Sequence, residues 1–205
     1  MGIENFMAFL ITALIFVVTP GMDTIFVLNK SIGGGKRSGV YAGLGINTGV
    51  MVHTLLGALG LSMIIAKSPT GFLAVKYLGS LYIVYLGIVG FRSKKDVFQQ
   101  ENKVETKKNK EFWSGFVTNI FNPKVALFFM AFFPQFIIKD QIENPIPFLV
   151  LGITYAIMGI VWLILLAVFA GNFTEKIRNN PKMGLQVNKI TGIIFIGMGV
   201  MMAVM

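Results

Sequence analysis

The sequence predicts an all-α integral membrane protein. It has about six transmembrane helices as two inverted three-helix repeats, with spans one and four broken at proline. Three observations lead there. Apolar stretches of near-bilayer length recur along all 205 residues, with 55% hydrophobic and only 13% charged residues and a mean hydropathy of +0.73. A soluble domain carries about 25% charged residues. Lysine and arginine collect in alternate connections, and the two spans with an internal proline hold the same place in the two halves.

A helix needs about 20 apolar residues, at about 1.5 Å each, to cross about 30 Å of hydrocarbon. The segments that approach this are 6–28, 39–66, 70–91, 113–137, 146–170 and 188–205, the last being short. The N-terminal stretch MGIENFMAFLITALIF carries Glu4, no basic start and no convincing small-x-small cleavage site, so it reads as an uncleaved first span rather than a signal peptide. Phe6 stands where a myristoylation signal needs Ser or Thr.

The first connection holds Lys30, Lys36 and Arg37. The third holds Arg92, Lys94, Lys95, Lys103, Lys107, Lys108 and Lys110, and the fifth Lys176, Arg178, Lys182 and Lys189. The second and fourth hold only Lys67 and Lys139. Basic residues favour the cytoplasmic side, so connections one, three and five are expected inside and both termini outside. The net charge of +9 is distributed in this way, and no nucleic-acid motif accompanies it, so nucleic acid is not an expected partner; the lipid bilayer is.

The polar stretch 92–112 reads as a flexible cytoplasmic linker between repeats 1–91 and 113–205. Binding to lipid headgroups is its less favoured alternative. Three spans per half make the halves run in opposite directions, the inverted-repeat plan of many secondary transporters.

Span one is interrupted by Thr19, Pro20 and Gly21, and span four by Asn122 and Pro123. Proline removes a helix hydrogen bond and clashes with the carbonyl four residues back. Thr19 and Asn122 are each placed as N-caps before a proline at the first helical position, so each span reads as two half-helices. New N-termini at mid-depth expose N–H groups that hydrocarbon does not satisfy, and they favour a carboxylate or another anion. Two packing kinks without a ligand are the competing explanation. The match between the breaks favours a site.

Asp23 and Lys124 flank these breaks, and Lys76 lies early in span three. Charges inside a membrane mark a pathway or a pair. Asp23 and Lys124 either pair with each other or serve the substrate directly, the lysine holding a carboxylate and the aspartate an ammonium or a proton. In span two, Gly45, Gly49, His53 and Gly57 share a face, and Gly39 with Gly43 add a second small-residue step. His53 reads as packed and hydrogen-bonded, with a proton relay as the lesser alternative. Asn47 is a candidate for the cavity wall. Tyr77, Tyr82 and Tyr85 read as interface or packing aromatics.

These residues resemble the LysE/RhtB family of amino-acid exporters of bacterial inner membranes. The matching stretches are TPGMDTIFVLNKSIGGGKRSGVYAGLGINTGVMVHTLLGALGLS, KYLGSLYIVYLG and GFVTNIFNPKVALFFMAFFPQF, over the first two-thirds of the chain. The resemblance implies gradient-driven efflux of amino acids or their derivatives without ATP. It adds weight to Pro20, Gly21, Asp23, Asn122, Pro123 and Lys124. Met22 departs from the family, whose members commonly carry a second proline there, and it softens the first break.

The leading expectation is a secondary exporter of a small zwitterion, an amino acid, with no cofactor and not an enzyme. Homo-oligomerisation is left open. The absence of cysteine excludes disulfides and thiolate chemistry, and one histidine with few acids leaves little for a metal cage. An ion or metal carrier or channel, an integral-membrane enzyme and a structural or sensory subunit are the alternatives. No nucleotide-binding, nucleophile-elbow or HExxH pattern supports the enzyme.

Overall fold

A computed structural model describes residues 2–61, 68–93, 108–178 and 181–204. The basic linker's residues 94–107, and residues 62–67 with Lys67, lie outside the described residues. Seven α-helices carry the described chain: α1 (Phe6–Val18), α2 (Met22–Leu56), α3 (Pro69–Arg92), α4 (Lys108–Ile120), α5 (Pro123–Leu127), α6 (Pro145–Arg178) and α7 (Pro181–Val204). A π turn over Gly57–Leu61 extends α2, and a π turn over Phe128–Phe132 with a 3-10 turn over Phe133–Phe136 extends α5. Helix α4 begins inside the stretch read as linker, so Lys108 to Phe112 are helical.

Helix α2 turns back on itself. Its one non-helical residue is Gly35, at φ 79° and ψ 171°, a conformation open essentially to glycine alone. Beyond it Ser31 packs on Gly39 and Val27 reaches Gly43. Sixteen residues of straight helix would separate that last pair by about 24 Å. Residues 22–34 and 36–56 are therefore two antiparallel limbs, and Lys30, Lys36 and Arg37 gather at their turn.

Both predicted breaks are present, and they differ. Asn122 caps α5: its Oδ1 accepts from the Lys124 backbone N–H at 3.1 Å, with Pro123 as the first helical residue. The arms on either side of it meet at a 47° bend. Thr19, expected as an N-cap, is instead the C-cap of α1. Its N–H and its hydroxyl both donate to the Ile15 carbonyl, at 2.9 and 2.5 Å. A residue before proline is pushed out of the helical region, and Thr19 is extended at ψ 119°. Gly21 is extended as well, so α2 starts at Met22 with no side-chain cap.

The chain of span one and that of span four run antiparallel along each other. Phe9 meets Phe133 and Phe136, Phe16 stacks on Phe128 at 4.0 Å, Asp23 meets Asn119, and Lys30 meets Glu111. Pro20 and Pro123 fall at the middle of this ladder. Two further pairs of helices are antiparallel. The second limb of α2 packs on α6 (Gly43 on Leu163, Gly152 on Thr54), and α3 packs on α7 (Gly87 on Gly192, Gly199 on Val84). The second face of that limb lies on α4, where Gly45 touches the Phe112 carbonyl and Gly49 touches Asn119. Both small-residue faces thus bring helices together.

The core is aromatic: Phe9, Phe16, Phe128, Phe129, Phe132, Phe133 and Phe136 are buried. The outer faces are apolar too. Leu78, Leu81 and Tyr85 of α3 and Ile157 and Val161 of α6 are exposed, the surface of a protein solvated by lipid. Tyr77, Tyr82 and Tyr85 all lie there. By length and composition Met22–Leu59, folded at Gly35 into its two limbs, and Pro145–Ala170 qualify as membrane-crossing stretches, and α4 with the Pro123–Phe136 arm makes a third if the bent pair is one. Phe6–Val18 and Asn188–Val204 are shorter apolar helices.

Candidate functional site

Proline without an N–H leaves the carbonyl four residues back short of its donor. At the first break that carbonyl belongs to Phe16, and Lys124 Nζ donates to it at 2.9 Å and to the Thr19 carbonyl at 3.0 Å. The ammonium also lies 4.4 Å from the Phe16 ring centroid and 5.0 Å from that of Phe195 of α7. At the second break the carbonyl belongs to Asn119. It takes the Asn122 N–H at 2.9 Å and lies 3.2 Å from His53 Nε2. A carbonyl only accepts, so this nitrogen of His53 carries the proton. The two breaks are therefore repaired by side chains from elsewhere in the fold, Lys124 for one and His53 for the other.

A cavity of about 30 Å³ lies beside both breaks. Of the predicted residues, Gly21, Asp23, Asn47, Asn122 and Lys124 line it. Lys124 lies across Gly21, where a Cβ would come within 3.3 Å of its Cδ and Nζ. Pro20 and Pro123 shape the breaks without lining the cavity. Thr19 contributes its carbonyl to Lys124. His53 sits one residue behind, linked through Asn119 and stacked on Phe129 at 5.9 Å. Lys76 is buried away from the cavity, with its Nζ 5.6 Å from the Tyr77 ring.

Asp23 and Lys124 do not form an ion pair; among the described residues that contact is made by Lys30 and Glu111. One carboxylate oxygen of Asp23, Oδ2, accepts from Asn119 Nδ2 at 2.9 Å. The Asn122 side chain also interacts with this carboxylate, outside strict hydrogen-bond geometry, while Asn47 Oδ1 and Trp162 Nε1 of the cavity wall are buried without a partner. Buried polar atoms are rarely left unpaired, because each unmet group costs about 1–3 kcal/mol. Asp23, Asn47, Asn122, Lys124 and Trp162 thus bring donors and acceptors to one small cavity.

Sequence reading missed Asn119, Thr24, Tyr155 and Trp162. Asn119 was within reach: it lies three residues before Asn122, on the same face of an apolar span. Tyr155 and Trp162 of α6 carried no signal, since aromatic residues are ordinary in an apolar helix.

A family model described as LysE-type translocator matches residues 14–205. The chain belongs to this family. The translocator is 32% identical to the uncharacterized membrane protein YrhP of Bacillus subtilis, over 96% of this chain and 97% of that one. It is 30% identical to a membrane protein of Vibrio cholerae, over 99% and 98% of the two chains. It is 28% identical to a leucine efflux protein of Salmonella choleraesuis, over 98% and 96%. No solved structure matches the translocator. It is a multi-pass membrane transporter and not an enzyme.

Proposed function

We propose that the translocator is a secondary active exporter of amino acids with uncharged, largely apolar side chains. It works in the bacterial inner membrane, with both termini outside and 92–112 as its cytoplasmic linker. Its repeats are 1–91 and 113–205, each of three spans. The antiparallel pairing of span one with four, two with five and three with six supports a two-fold axis in the membrane plane, near Pro20 and Pro123.

The observation that carries the reading is the Asp23 carboxylate, held by the amides Asn119 and Asn122 but without an ion-pair partner, in the same cavity as the Lys124 ammonium. A zwitterion presents the opposite charges. Its ammonium pairs with Asp23 and Asn47, and its carboxylate with Lys124. Those contacts use the one acid and one base of the cavity, so no counter-charge is left for a charged side chain. The remaining wall, with Ile46, Val50, Tyr155, Trp162 and Leu163, suits an apolar one. The leucine efflux protein among the relatives supports the same class.

A cavity of about 30 Å³ holds little more than a water molecule. Loading therefore requires the half-helices to part, as alternating access demands. Efflux of radiolabelled leucine from proteoliposomes tests the proposal. Export of leucine with little export of lysine or glutamate supports it, and no export of any amino acid overturns it.

A further inference from the structure

We propose that the Lys30–Glu111 ion pair is the latch of an inner gate, and that the limb 22–34 is the part that moves. The proposal rests on the orientation given above, which places this pair on the cytoplasmic side of the cavity.

Lys30 Nζ lies 2.7 Å from Glu111 Oε2, with Glu111 only 2% exposed and Lys30 27%. The limb meets α4 at two levels. Asp23 and Asn119 meet at the cavity, and Lys30 and Glu111 meet seven residues on, about 10 Å nearer the turn. Parting the limb from α4 opens the cavity along that line.

The limb is free to move as a unit. The non-helical residues 19–21 stand at one end and Gly35 at the other, so it can tilt without breaking a helical hydrogen bond of its own. Ser31 and Val27 meet the second limb at Gly39 and Gly43, and Val27 is also buried in a small aliphatic cluster with Ala42, Ile46, Leu163 and Ala167, from which the limb lifts as it tilts.

The opposite end of the ladder is built differently. There α1 closes on the α5 arm through the buried rings of Phe9, Phe16, Phe128, Phe133 and Phe136, and the N-terminal strand-like residue Ile3 bridges to Ile137. Opening that end exposes a block of aromatic surface. Opening the inner end exposes a smaller aliphatic cluster around Val27 together with two charges, which water solvates. A Glu111 carboxylate parted from Lys30 in a dry interior is costly, so opening and wetting of the inner path occur together.

The natural chain has no cysteine, so one introduced thiol reports alone. Thr24→Cys places it in the cavity wall. A membrane-impermeant thiol reagent is applied to inside-out and to right-side-out vesicles. Lys30→Gln with Glu111→Gln is expected to speed labelling from the cytoplasmic face about tenfold, and to leave labelling from the other face unchanged. The exchanged pair, Lys30→Glu with Glu111→Lys, restores slow labelling, which either single reversal does not. Unchanged labelling, or equal acceleration from both faces, overturns the latch. In a second measurement Lys30→Cys and Glu111→Cys are bridged by a short, reducible bifunctional reagent. Leucine export should stop and return on reduction, and export at the unbridged rate also overturns it. Labelling at position 24 needs no substrate, so its result stands whether or not leucine proves to be exported.

Discussion

Lys124 donates its ammonium to the Phe16 carbonyl at 2.9 Å, and this is the carbonyl that Pro20 leaves without a helical donor. The lysine thus mends the first break from within the second. A hydrogen bond from a charged group contributes about 1.5–3 kcal/mol. Lys124→Met should therefore cost about 2 kcal/mol or more, read as reduced thermal stability in detergent. In a Pro20→Ala background, which returns the missing N–H, the same change should cost less. Equal losses in both backgrounds would refute the repair.

Asp23→Asn keeps the size of the side chain and can still accept from Asn119, so the protein should insert and fold normally. It loses the charge that faces the cavity, and leucine export should fall by about two orders of magnitude, the scale of losing a charge-assisted contact of about 2–3 kcal/mol. Because Asp23 and Lys124 are not ion-paired, adding Lys124→Gln should not rescue export. Recovery in the double variant would show a direct pair instead.

His53 serves the second break as Lys124 serves the first. His53→Phe keeps the ring against Phe129 and removes the bond to the Asn119 carbonyl. A loss of about 1 kcal/mol in stability with substantial export retained is expected. Abolished export with unchanged stability would favour a proton relay.

The glycine faces predict sharp positional effects. A Cβ on Gly45 would lie 1.9 Å from the Phe112 carbonyl oxygen, a backbone atom that cannot rotate away, whereas a Cβ on Gly197 meets nothing within 4 Å. Gly45→Ala should cost about 3 kcal/mol or fail to accumulate. Gly197→Ala should be neutral or slightly stabilising, since alanine is the better helix former. Similar melting temperatures for the two would contradict the close approach of α2 and α4.

A reporter active only in the periplasm should give signal when fused after Met205 and none when fused near Gln100. The reverse pattern would invert the topology and, with it, the inner side assigned to Lys30.

Composition and the spacing of apolar runs were enough to identify a helical membrane protein and to locate its breaks, because both follow from local rules. Hydrocarbon demands long apolar helices, and proline interrupts a helix wherever it stands. The charges near the breaks were legible for the same reason, since Asp23 and Lys124 are conspicuous in apolar surroundings. Which partner each charge takes was not legible. Lys124 and the Phe16 carbonyl are 108 residues apart in the chain, and no local rule links them. Even Thr19 misled, because its hydroxyl had a choice between the helix ahead and the carbonyl behind, and the extended Gly21 moved the helix ahead out of reach. Tertiary structure decided that Asp23 and Lys124 face one cavity without an ion pair between them, that Tyr155 and Trp162 line it while Asn119 holds Asp23, and that Lys30 meets Glu111. Burial is the physical reason: once packing excludes water, each polar group must find its partner among whatever the fold brings near, and that neighbourhood is a property of the packed helices rather than of any one of them.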